Sequence, residues 1–433
     1  MVGAPPAQAE RADVIVVGAG PAGSSTAAYL ARQGIDVILL EKARFPRDKI
    51  CGDGLTPRAV KELITLGVST REEDGWIRHH GLRIYGGGVK LELPWPDITS
   101  YPPYGMVRPR MDLDETLARH AQTCGARLIE GATVQEPVRD ASGRITGVTA
   151  KLTDERGRAT GEHATYAAPV VIACDGVSSR LGVGMGREKR EDRPMGVAYR
   201  AYYETPRHDD DYLESWLELW AADDAGNLIL LPGYGWLFGT GKGTTNVGLG
   251  ALNTSPAFQS TDYRDVMRRW VETMPGEWQI SEETRRSPIR GAALPMCFNR
   301  QPLYADGMLL VGDAGGMVNP FNGEGIDYAL ECGRLAAEIV GQALGRDAAA
   351  RERLLQTYPT VMKDLHGGYF TLGRGFATLI GHPEIMRLAT KYGLPRRTLM
   401  KFLLKIMANL HETRGGGLDD RVISLMTRVV PAA

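Results

Sequence analysis

The chain has 433 residues and an almost even balance of charge, with 51 Lys and Arg against 52 Asp and Glu. Its length allows at least two hydrophobic cores, and its net charge of −1 excludes the general basic field by which many proteins recruit nucleic acid. The five scattered cysteines include no Cys-x-x-Cys pair, so we expect no disulfide framework, no metal site and a reducing, cytoplasmic environment.

The N-terminal residues 1–12 are predicted to form a frayed tail, because they are small or polar and lack the apolar run of a signal peptide. Farther along the chain, no window of about 18 uninterrupted apolar residues occurs, so no membrane-spanning segment is predicted.

The next segment carries the strongest signal in the chain. A buried parallel strand, predicted at 14–17, runs into a Gly-x-Gly-x-x-Gly turn and then into a helix predicted over 24–33. In such a turn, Gly18 permits the tight bend, Gly20 lets a pyrophosphate approach the backbone, and Gly23 lets the helix pack against the strand. The free N–H groups and positive dipole end of the helix attract phosphate.

A second strand, predicted at 36–40, ends at Glu41. A carboxylate at this place accepts hydrogen bonds from a ribose diol and repels a 2′-phosphate. Strand, glycine turn, helix, strand and acid in this order predict a dinucleotide-binding unit.

Nucleotide-binding signals return at 106–180 and 308–327, so the binding domain is not contiguous. The segments 76–105 and 194–290 have a different texture, rich in aromatics, Pro and alternating patterns that predict antiparallel strands, such as 195–203. Beyond Asp347 helical patterns dominate, and breaks are predicted at Pro359, Gly367-Gly368, Pro383 and Pro395. The predicted domains are a discontinuous nucleotide-binding domain (12–75, 106–187 and 291–345), a substrate-binding sheet domain (76–105 and 188–290) and a C-terminal helical region (346–430).

Two later strands also end in polar residues. One, predicted at 170–174, is followed by Asp175 and Gly176, and another, predicted at 308–311, leads to Asp313. An Asp at a strand end can bind a ribityl hydroxyl group of a flavin.

The turn after Asp313 continues to Gly323-Glu324-Gly325 and opens a helix predicted over 328–344. The N-terminus of that helix can face the N1–C2=O edge of a flavin, where the negative charge of the reduced ring accumulates.

These elements, in this order, resemble the FAD-dependent family that includes aromatic hydroxylases and geranylgeranyl reductases, over roughly residues 13–345. The resemblance implies FAD as cofactor and an α/β fold with an α+β insert: a Rossmann-like FAD-binding domain of the aromatic-hydroxylase type, an inserted antiparallel-sheet domain and a C-terminal helical region. It also implies that Arg110 lies near the pyrophosphate. The residues predicted to bind FAD are Gly18, Ala19, Gly20, Pro21, Ala22, Gly23, Glu41, Lys42, Cys51, Gly52, Asp53, Arg110, Val134, Asp175, Gly176, Asp313, Gly316, Met317, Gly325 and Ile326.

Three stretches narrow the resemblance to the geranylgeranyl reductases. Residues 49–54 look like their Lys-x-Cys-Gly-x-Gly element, which lies beside the isoalloxazine, and the turn 319–325 is also similar. Residues 232–238 resemble their Pro-Tyr-x-Trp-x-Phe-Pro substrate motif, but one extra residue separates Pro from Tyr, and Gly239 replaces the final proline.

The last of these stretches also has a physical interpretation. Tyr234, Trp236 and Phe238 alternate along a strand, so their rings face the same side. Such a row can line a slot for an isoprenoid chain, whose burial is favourable by roughly 0.8 kcal/mol per CH₂. The spacing alone favours a core between sheet and helix; the resemblance reverses this in favour of the slot, with all three residues lining the substrate.

The residues expected to be catalytic are Cys51, Tyr234 and Trp236. Cys51 can pack against the flavin, tune it or relay a proton, and the proton donor is left open among Cys51, Tyr234 and an ordered water. The other cysteines are predicted to be structural.

Near the C-terminus, the bases Arg397, Lys401 and Lys405 share one helical face, and apolar residues occupy much of the remainder. A basic amphipathic helix over 396–411 can lie on an anionic membrane surface, which predicts peripheral association with the cytoplasmic membrane. The alternative is a helix that covers the core and exposes its basic face to water.

The resemblance therefore implies a reductase that transfers hydride from reduced FAD, and a proton, to an isolated alkene of a prenyl lipid. The motifs are most similar to the actinobacterial menaquinone reductase branch, which saturates one isoprene unit of the menaquinone tail. The alternatives are a reductase of geranylgeranyl lipids or geranylgeranyl diphosphate, an FAD-dependent monooxygenase of the same fold, and a non-catalytic flavin-bound lipid carrier. The electron donor is left open among NAD(P)H, ferredoxin and a membrane carrier, and so are the double bond, the stereochemistry and the oligomeric state.

Overall fold

A computed structural model describes residues 9–222, 226, 228–255 and 257–433 of the chain. The predicted tail falls partly outside this range, because residues 1–8 are not among the described ones. Glu10–Arg11 form a short strand that pairs in parallel with Tyr166 and Ala167. The tail prediction is wrong for these two residues, since backbone pairing to the edge of a sheet holds them.

A six-stranded sheet forms the centre of the nucleotide-binding part. In spatial order its strands are Tyr304–Ala305, Met308–Leu310, Val170–Ala173, Val14–Val17, Val37–Glu41 and Arg127–Glu130. All neighbouring pairs are parallel except the first. Val17 pairs with both Ala173 and Leu40, so the carboxyl ends of the central strands meet at one edge.

The central strands of this sheet are continuous apolar runs because they are buried. The strands Ala132–Arg139 and Ile145–Thr153 of another sheet contact it, and helices pack against it as well. The larger ones are Pro21–Arg32, Pro57–Leu66, Arg110–Thr123 and Ile326–Leu344, with a short helix at Arg180–Gly184. The first and last of the larger helices approach closely, because a Cβ at Gly333 would lie only 2.8 Å from the carbonyl oxygen of Ala22.

Two smaller sheets flank the centre. One has the strands Glu10–Arg11, Ala159–Ala167, Ile145–Thr153 and Ala132–Arg139. The other has Gly54–Leu55, Gly105–Val107 and Ile77–His79.

A seven-stranded sheet forms the second layer. Its strands, in spatial order, are Arg290–Pro295, Met195–Glu204, Thr244–Leu252, Gly233–Gly239, Tyr212–Trp216, Gly81–Gly86 and Val89–Pro94. All its pairs are antiparallel except Tyr212–Trp216 with Gly81–Gly86. A two-stranded ribbon, Trp220–Ala222 with Leu228–Leu230, and the helix Tyr263–Glu272 complete this part.

The predicted domain division stays a proposal. It is supported by the strand content of the sheets: the six-stranded sheet draws on 12–75, 106–187 and 291–345, and the seven-stranded sheet draws mainly on 76–105 and 188–290.

The C-terminal region is helical, as expected. Its elements are Ala348–Leu355, Tyr358–Ile380, Pro383–Leu388, a π-helical turn Ala389–Gly393, Arg397–Met407 and Leu418–Val429. The breaks predicted at Pro359, Pro383 and Pro395 coincide with helix boundaries, but the break predicted at Gly367-Gly368 is wrong. The helix continues there, and its glycines make room for the chain end: a Cβ at Gly368 would overlap the carbonyl oxygen of Thr427.

The predicted basic face of the helix Arg397–Met407 is only partly present. Arg397 and Lys401 are exposed, whereas Lys405 is buried and its Nζ lies 2.7 Å from a carboxylate oxygen of Asp420. Lys405 therefore joins this helix to the last one, because the carboxylate compensates its charge away from water.

Candidate functional site

The glycine turn after the strand Val14–Val17 has the close backbone approaches that its pattern predicts. Gly18 has φ +99°, and a Cβ there would overlap the carbonyl oxygen of Cys174, while a Cβ at Gly23 would overlap the carbonyl oxygen of Gly18. At Gly20 the nearest described atom to a Cβ is Nη2 of Arg47, 3.8 Å away. The turn is therefore tight on its inner side and open at Gly20, where a phosphate needs room.

Polar groups suited to a dinucleotide surround this turn. The backbone N–H of Ala19 donates to Oε2 of Glu41 (2.9 Å), a side chain that is only 3% exposed. Gly20 precedes a helix that starts at Pro21, and no side chain of the described residues caps its first turn. Of the outer predicted residues, Lys42 is exposed and Val134 is buried in a neighbouring sheet.

The other two strand ends meet at the same edge. A Cβ at Gly325 would lie 3.3 Å from Oδ1 of Asp313, so the turn before Ile326 closes over that carboxylate. Burial raises the pKa of Asp313, and the charges of Lys49 and Arg110 lower it in part.

Lys49 lies between the strand end at Asp313 and the strand end at Asp175. A Cβ at Gly176 would lie 3.8 Å from Nζ of Lys49. Oδ2 of Asp175 accepts a hydrogen bond from the N–H of Leu181 (3.1 Å), whereas Oδ1 is buried without a partner among the described residues. Gly316 packs against Asn299, and Met317 is buried in the core, so their contacts with FAD stay predictions.

These features fit FAD. Two helices begin after Gly20 and Gly325 without a side-chain cap, so their N-termini supply free N–H groups and positive dipole ends. The carboxylates of Glu41 and Asp313 supply acceptors for sugar and ribityl hydroxyls. The open space at Gly20 is the cradle that a Cβ would fill.

Arg110 lies beside the same region, held by other side chains. Its Nε and Nη2 donate to the two oxygens of Asp114 (2.6 and 2.8 Å), and Arg47 donates to the same carboxylate (2.7 Å). Its backbone N–H donates to Oδ1 of Asp53 (3.0 Å). The contact of Arg110 with the pyrophosphate stays a prediction.

Asp53 is the centre of a polar cluster that sequence reasoning did not identify. Its Oδ2 accepts hydrogen bonds from the hydroxyl of Tyr202 (2.6 Å) and from Nδ2 of Asn246 (2.7 Å). Burial raises the pKa of Asp53 to about 6, against the lowering effect of these donors. Tyr202 and Asn246 lie on strands of the other sheet, so no local motif connects them with Asp53.

Asn246 also holds the loop that carries Cys51. Its Nδ2 donates to the carbonyl oxygen of Cys51 (2.9 Å), and the backbone N–H of Asp53 donates to Sγ of Cys51 (3.4 Å). Burial raises the pKa of the Cys51 thiol, so the thiol is protonated at neutral pH.

The aromatic row lies against this loop. The ring centroids of Tyr234 and Trp236 are 6.1 Å apart, and those of Trp236 and Phe238 are 6.3 Å apart. A Cβ at Gly52 would lie 3.1 Å from the Phe238 ring and 3.3 Å from Nε1 of Trp236. Trp236 donates from Nε1 to Oδ1 of Asn246 (2.9 Å).

The opposite face of the same strand packs against the helix Tyr263–Glu272. Gly235 lies against the ring of Trp270, and Leu237 belongs to the same hydrophobic cluster. The aromatic row lies on the side of the strand away from that helix and faces the loop of Cys51, and Phe238 also packs against the cluster with Leu394. Its role as a substrate slot stays a prediction.

Glu324 is a further acidic group at this site, half-buried as a residue. Its Oε1 accepts hydrogen bonds from the N–H (3.2 Å) and hydroxyl (2.7 Å) of Thr56, and its Oε2 is buried without a partner in the described part of the chain. Burial raises the pKa of Glu324. The same turn contains Asn322, whose carbonyl oxygen accepts a hydrogen bond from the hydroxyl of Tyr234 (2.6 Å).

Comparison with known proteins identifies the family. A family model described as "FAD binding domain" matches residues 11–364. The chain belongs to this family. FAD is its cofactor, and the α/β fold expected from the sequence is confirmed.

Relatives narrow the assignment. The menaquinone reductase of Mycobacterium tuberculosis is 38% identical to the chain over 424 residues, which cover 96% of this chain and 97% of that protein. Digeranylgeranylglycerophospholipid reductase 1 of Methanopyrus kandleri is 32% identical over 343 residues, covering 77% of this chain and 82% of that protein. The flavoprotein is thus an oxidoreductase of the geranylgeranyl reductase family, and it resembles the menaquinone reductases, as the motifs indicated.

A solved structure shows the same fold. The crystal structure of a geranylgeranyl bacteriochlorophyll reductase-like protein from Thermoplasma acidophilum has a TM-score of 0.68 at 22% identity. It covers 92% of this chain and 100% of its own. Among the described residues, no helix is both long and apolar enough to cross a bilayer.

Proposed function

We propose that this FAD-dependent oxidoreductase saturates an isoprenoid double bond of a prenyl lipid, and that the substrate is the menaquinone tail. The observation that carries the proposal is the aromatic row of Tyr234, Trp236 and Phe238 against the loop of Cys51, at the edge of the site that fits FAD. The names of the most similar relatives support the substrate.

The residues have separate roles in this proposal. FAD, when reduced, supplies the hydride. Trp236 and Phe238 form an apolar wall that aligns the alkene and excludes water, because an unactivated alkene reacts only when it is closely positioned. Burial raises the pKa of Cys51 and of Tyr234, so each keeps its proton. Cys51 can hold it toward the second carbon, whereas the Tyr234 hydroxyl must first turn away from the Asn322 carbonyl oxygen.

We propose Glu324 as the group that resupplies this proton. The carbonyl oxygen of Asn322, in the same turn, accepts from the Tyr234 hydroxyl and cannot pass a proton on. The transfer therefore runs from Oε2 of Glu324, which is buried without a partner among the described residues, through a water to Cys51 or Tyr234.

Arg58 is the guanidinium near Glu324, and it faces the further carboxylates of Asp327 and Glu331. Glu331 also faces Arg334 (4.0 Å), so Arg58 is left to balance mainly Asp327 and Glu324. Burial raises the pKa of both, which favours a protonated carboxyl in this pair.

Two further parts of the proposal concern partners. An external donor, either NAD(P)H, ferredoxin or a membrane carrier, reduces FAD. Peripheral contact with the cytoplasmic membrane through 396–411 brings the protein to a lipid substrate, with Arg397 and Lys401 as its exposed bases.

The test is anaerobic incubation of the dithionite-reduced holoprotein with menaquinone that has an unsaturated tail. After the ring is reoxidised, mass spectrometry should show two added hydrogens in the tail. Incorporation of oxygen once air is admitted indicates the monooxygenase instead. A stable complex with unchanged lipid under both conditions indicates a lipid carrier.

A further inference from the structure

The segment that precedes and begins the helix Arg397–Met407 exposes large apolar side chains. Leu388, Tyr392 and Leu399 are exposed by 57%, 51% and 41%. Trp220, 36% exposed, adjoins them, because the guanidinium of Arg387 lies 5.6 Å from its ring centroid. We call Leu388, Tyr392, Leu399 and Trp220 the outer patch. Aromatic rings and leucines of this kind are enriched where proteins meet the membrane–water interface.

The charge around the outer patch is mainly positive, with Glu218 beside Trp220 as an exposed acid. Residues 382–402 contain five Arg and Lys but only one acid, Glu384. All five basic side chains are exposed: Arg387, Lys391, Arg396, Arg397 and Lys401. Asp223 and Asp224 lie outside the described residues and do not enter this balance. An anionic lipid surface complements such an apolar and basic face.

Beneath this face, apolar contacts lead to the aromatic row. Phe238 and Met400 are half-buried and pack against the cluster that contains Leu213 and Leu394. At the inner end, a Cβ at Gly54 would lie 2.9 Å from the Phe238 ring and 3.5 Å from Leu213. A cluster of apolar side chains therefore connects the loop of Cys51 with the inner side of the outer patch.

We propose that the outer patch docks on an anionic bilayer, and that the prenyl tail passes beneath Leu394 and Met400 to reach Phe238. The proposal rests on the proposed function, since only a lipid substrate needs this path. Passage requires side chains to move apart; Met400 suits this, because its unbranched thioether adapts to different shapes. The docked face lets the tail leave the bilayer without crossing water.

A second exposed apolar surface provides the matched control. On the last helix, Leu418, Val422, Leu425 and Val429 recur at helical spacing on one face and are exposed by 46–77%. This helix packs against Tyr358–Ile380, and Ile423 on its inner face belongs to the core of the nucleotide-binding part, not to the cluster around Phe238. It has exposed leucines and valines but no such connection with the aromatic row.

The docking test uses the full-length holoprotein and sedimentation with phosphatidylglycerol/phosphatidylcholine vesicles. Leu388→Ser/Leu399→Ser and Arg397→Gln/Lys401→Gln should each weaken vesicle binding at least about tenfold, with unchanged flavin spectra. Leu418→Ser/Leu425→Ser should bind as the unmodified protein does, and pure phosphatidylcholine should bind weakly. Loss of binding in the last-helix variant alone, or equal binding to both vesicle types, overturns the proposal.

The path is tested with Met400→Trp, which fills it. Reduction of a long-tailed menaquinone by the pre-reduced holoprotein should slow more than tenfold, while reduction of a substrate with one or two isoprene units changes little. Equal slowing of both substrates overturns the path. Because vesicle binding needs no turnover, its outcome stands even if the proposed reduction fails.

Discussion

Asn246 offers the sharpest test of how the two sheets build one site. Its side chain joins Trp236, the carbonyl oxygen of Cys51 and the carboxylate of Asp53 by hydrogen bonds of 2.9, 2.9 and 2.7 Å. Asn246→Ala removes all three and leaves buried groups unpaired. A neutral hydrogen bond contributes about 1 kcal/mol to stability, and one to a charged group about 1.5–3 kcal/mol. Asn246→Ala should therefore lower the free energy of unfolding by about 3–5 kcal/mol, before water refills the space.

Part of this loss should appear in cofactor binding, because FAD must then order the loop 51–54 itself. We expect the dissociation constant of FAD to rise about 10- to 100-fold, which corresponds to about 1.4–2.8 kcal/mol. Flavin fluorescence during titration of the apoprotein measures it. In a double-mutant cycle of Asn246→Ala with Trp236→Phe, the effects on the free energy of FAD binding should be non-additive, since the two residues share a hydrogen bond.

Asn253→Ala is the matched control, because Asn253 accepts a hydrogen bond from the N–H of Met195 (2.9 Å) but is exposed, away from the site. It should leave FAD affinity unchanged. Asn246→Ala with the affinity of the unmodified protein, or an equal loss in Asn253→Ala, would refute the reasoning.

Three further predictions concern other positions. Gly20→Ala should preserve the fold, since the site of its Cβ is open, but should weaken FAD binding at least about tenfold in the same titration. Burial raises the pKa of Asp53 from 3.8 to about 6. The protonated carboxyl therefore adds about 3 kcal/mol to the free energy of unfolding below pH 4, and this contribution is lost as pH rises through 6. Asp53→Asn should flatten the dependence of the apoprotein's melting temperature on pH between 4 and 6. Gly368→Val should displace the last helix, because its side chain overlaps the carbonyl oxygen of Thr427, and limited proteolysis should then cut near the C-terminus.

These predictions have their own controls. Gly375→Ala, in the same helix as Gly368, has open space among the described atoms and should resist proteolysis as before. A melting profile with the same slope between pH 4 and 6 in Asp53→Asn would show that other groups cause it. Unchanged FAD affinity in Gly20→Ala would show that the turn at Gly20 does not hold the phosphates of FAD.

The sequence predicted well the strands, turns and helices around the site, which are local in the chain. Strand, turn and helix follow one another around Gly18 and again around Asp313. The periodicity of the apolar residues and the spacing of the glycines were therefore sufficient to predict these elements. The alternation of Tyr234, Trp236 and Phe238 similarly predicted their common face.

Long-range contacts could not be predicted in this way. Tyr202 and Asn246 reach Asp53 from distant strands, and no local pattern distinguishes them from ordinary strand residues. The glycine pair at 367–368 looked like a helix break because its actual cause, close packing against the last helix, lies far along the chain. Lys405 looked like a solvated base until its partner Asp420 was known.

The most direct test of the central claim is the stoichiometry of a single anaerobic turnover. The holoprotein is fully reduced, freed of excess reductant and mixed with menaquinone whose ring is already reduced, so that only the tail can accept hydride. The account predicts one tail double bond lost for each FAD reoxidised, with two hydrogens gained. Reoxidation of the flavin with an unchanged tail, or no reoxidation at all, would contradict it.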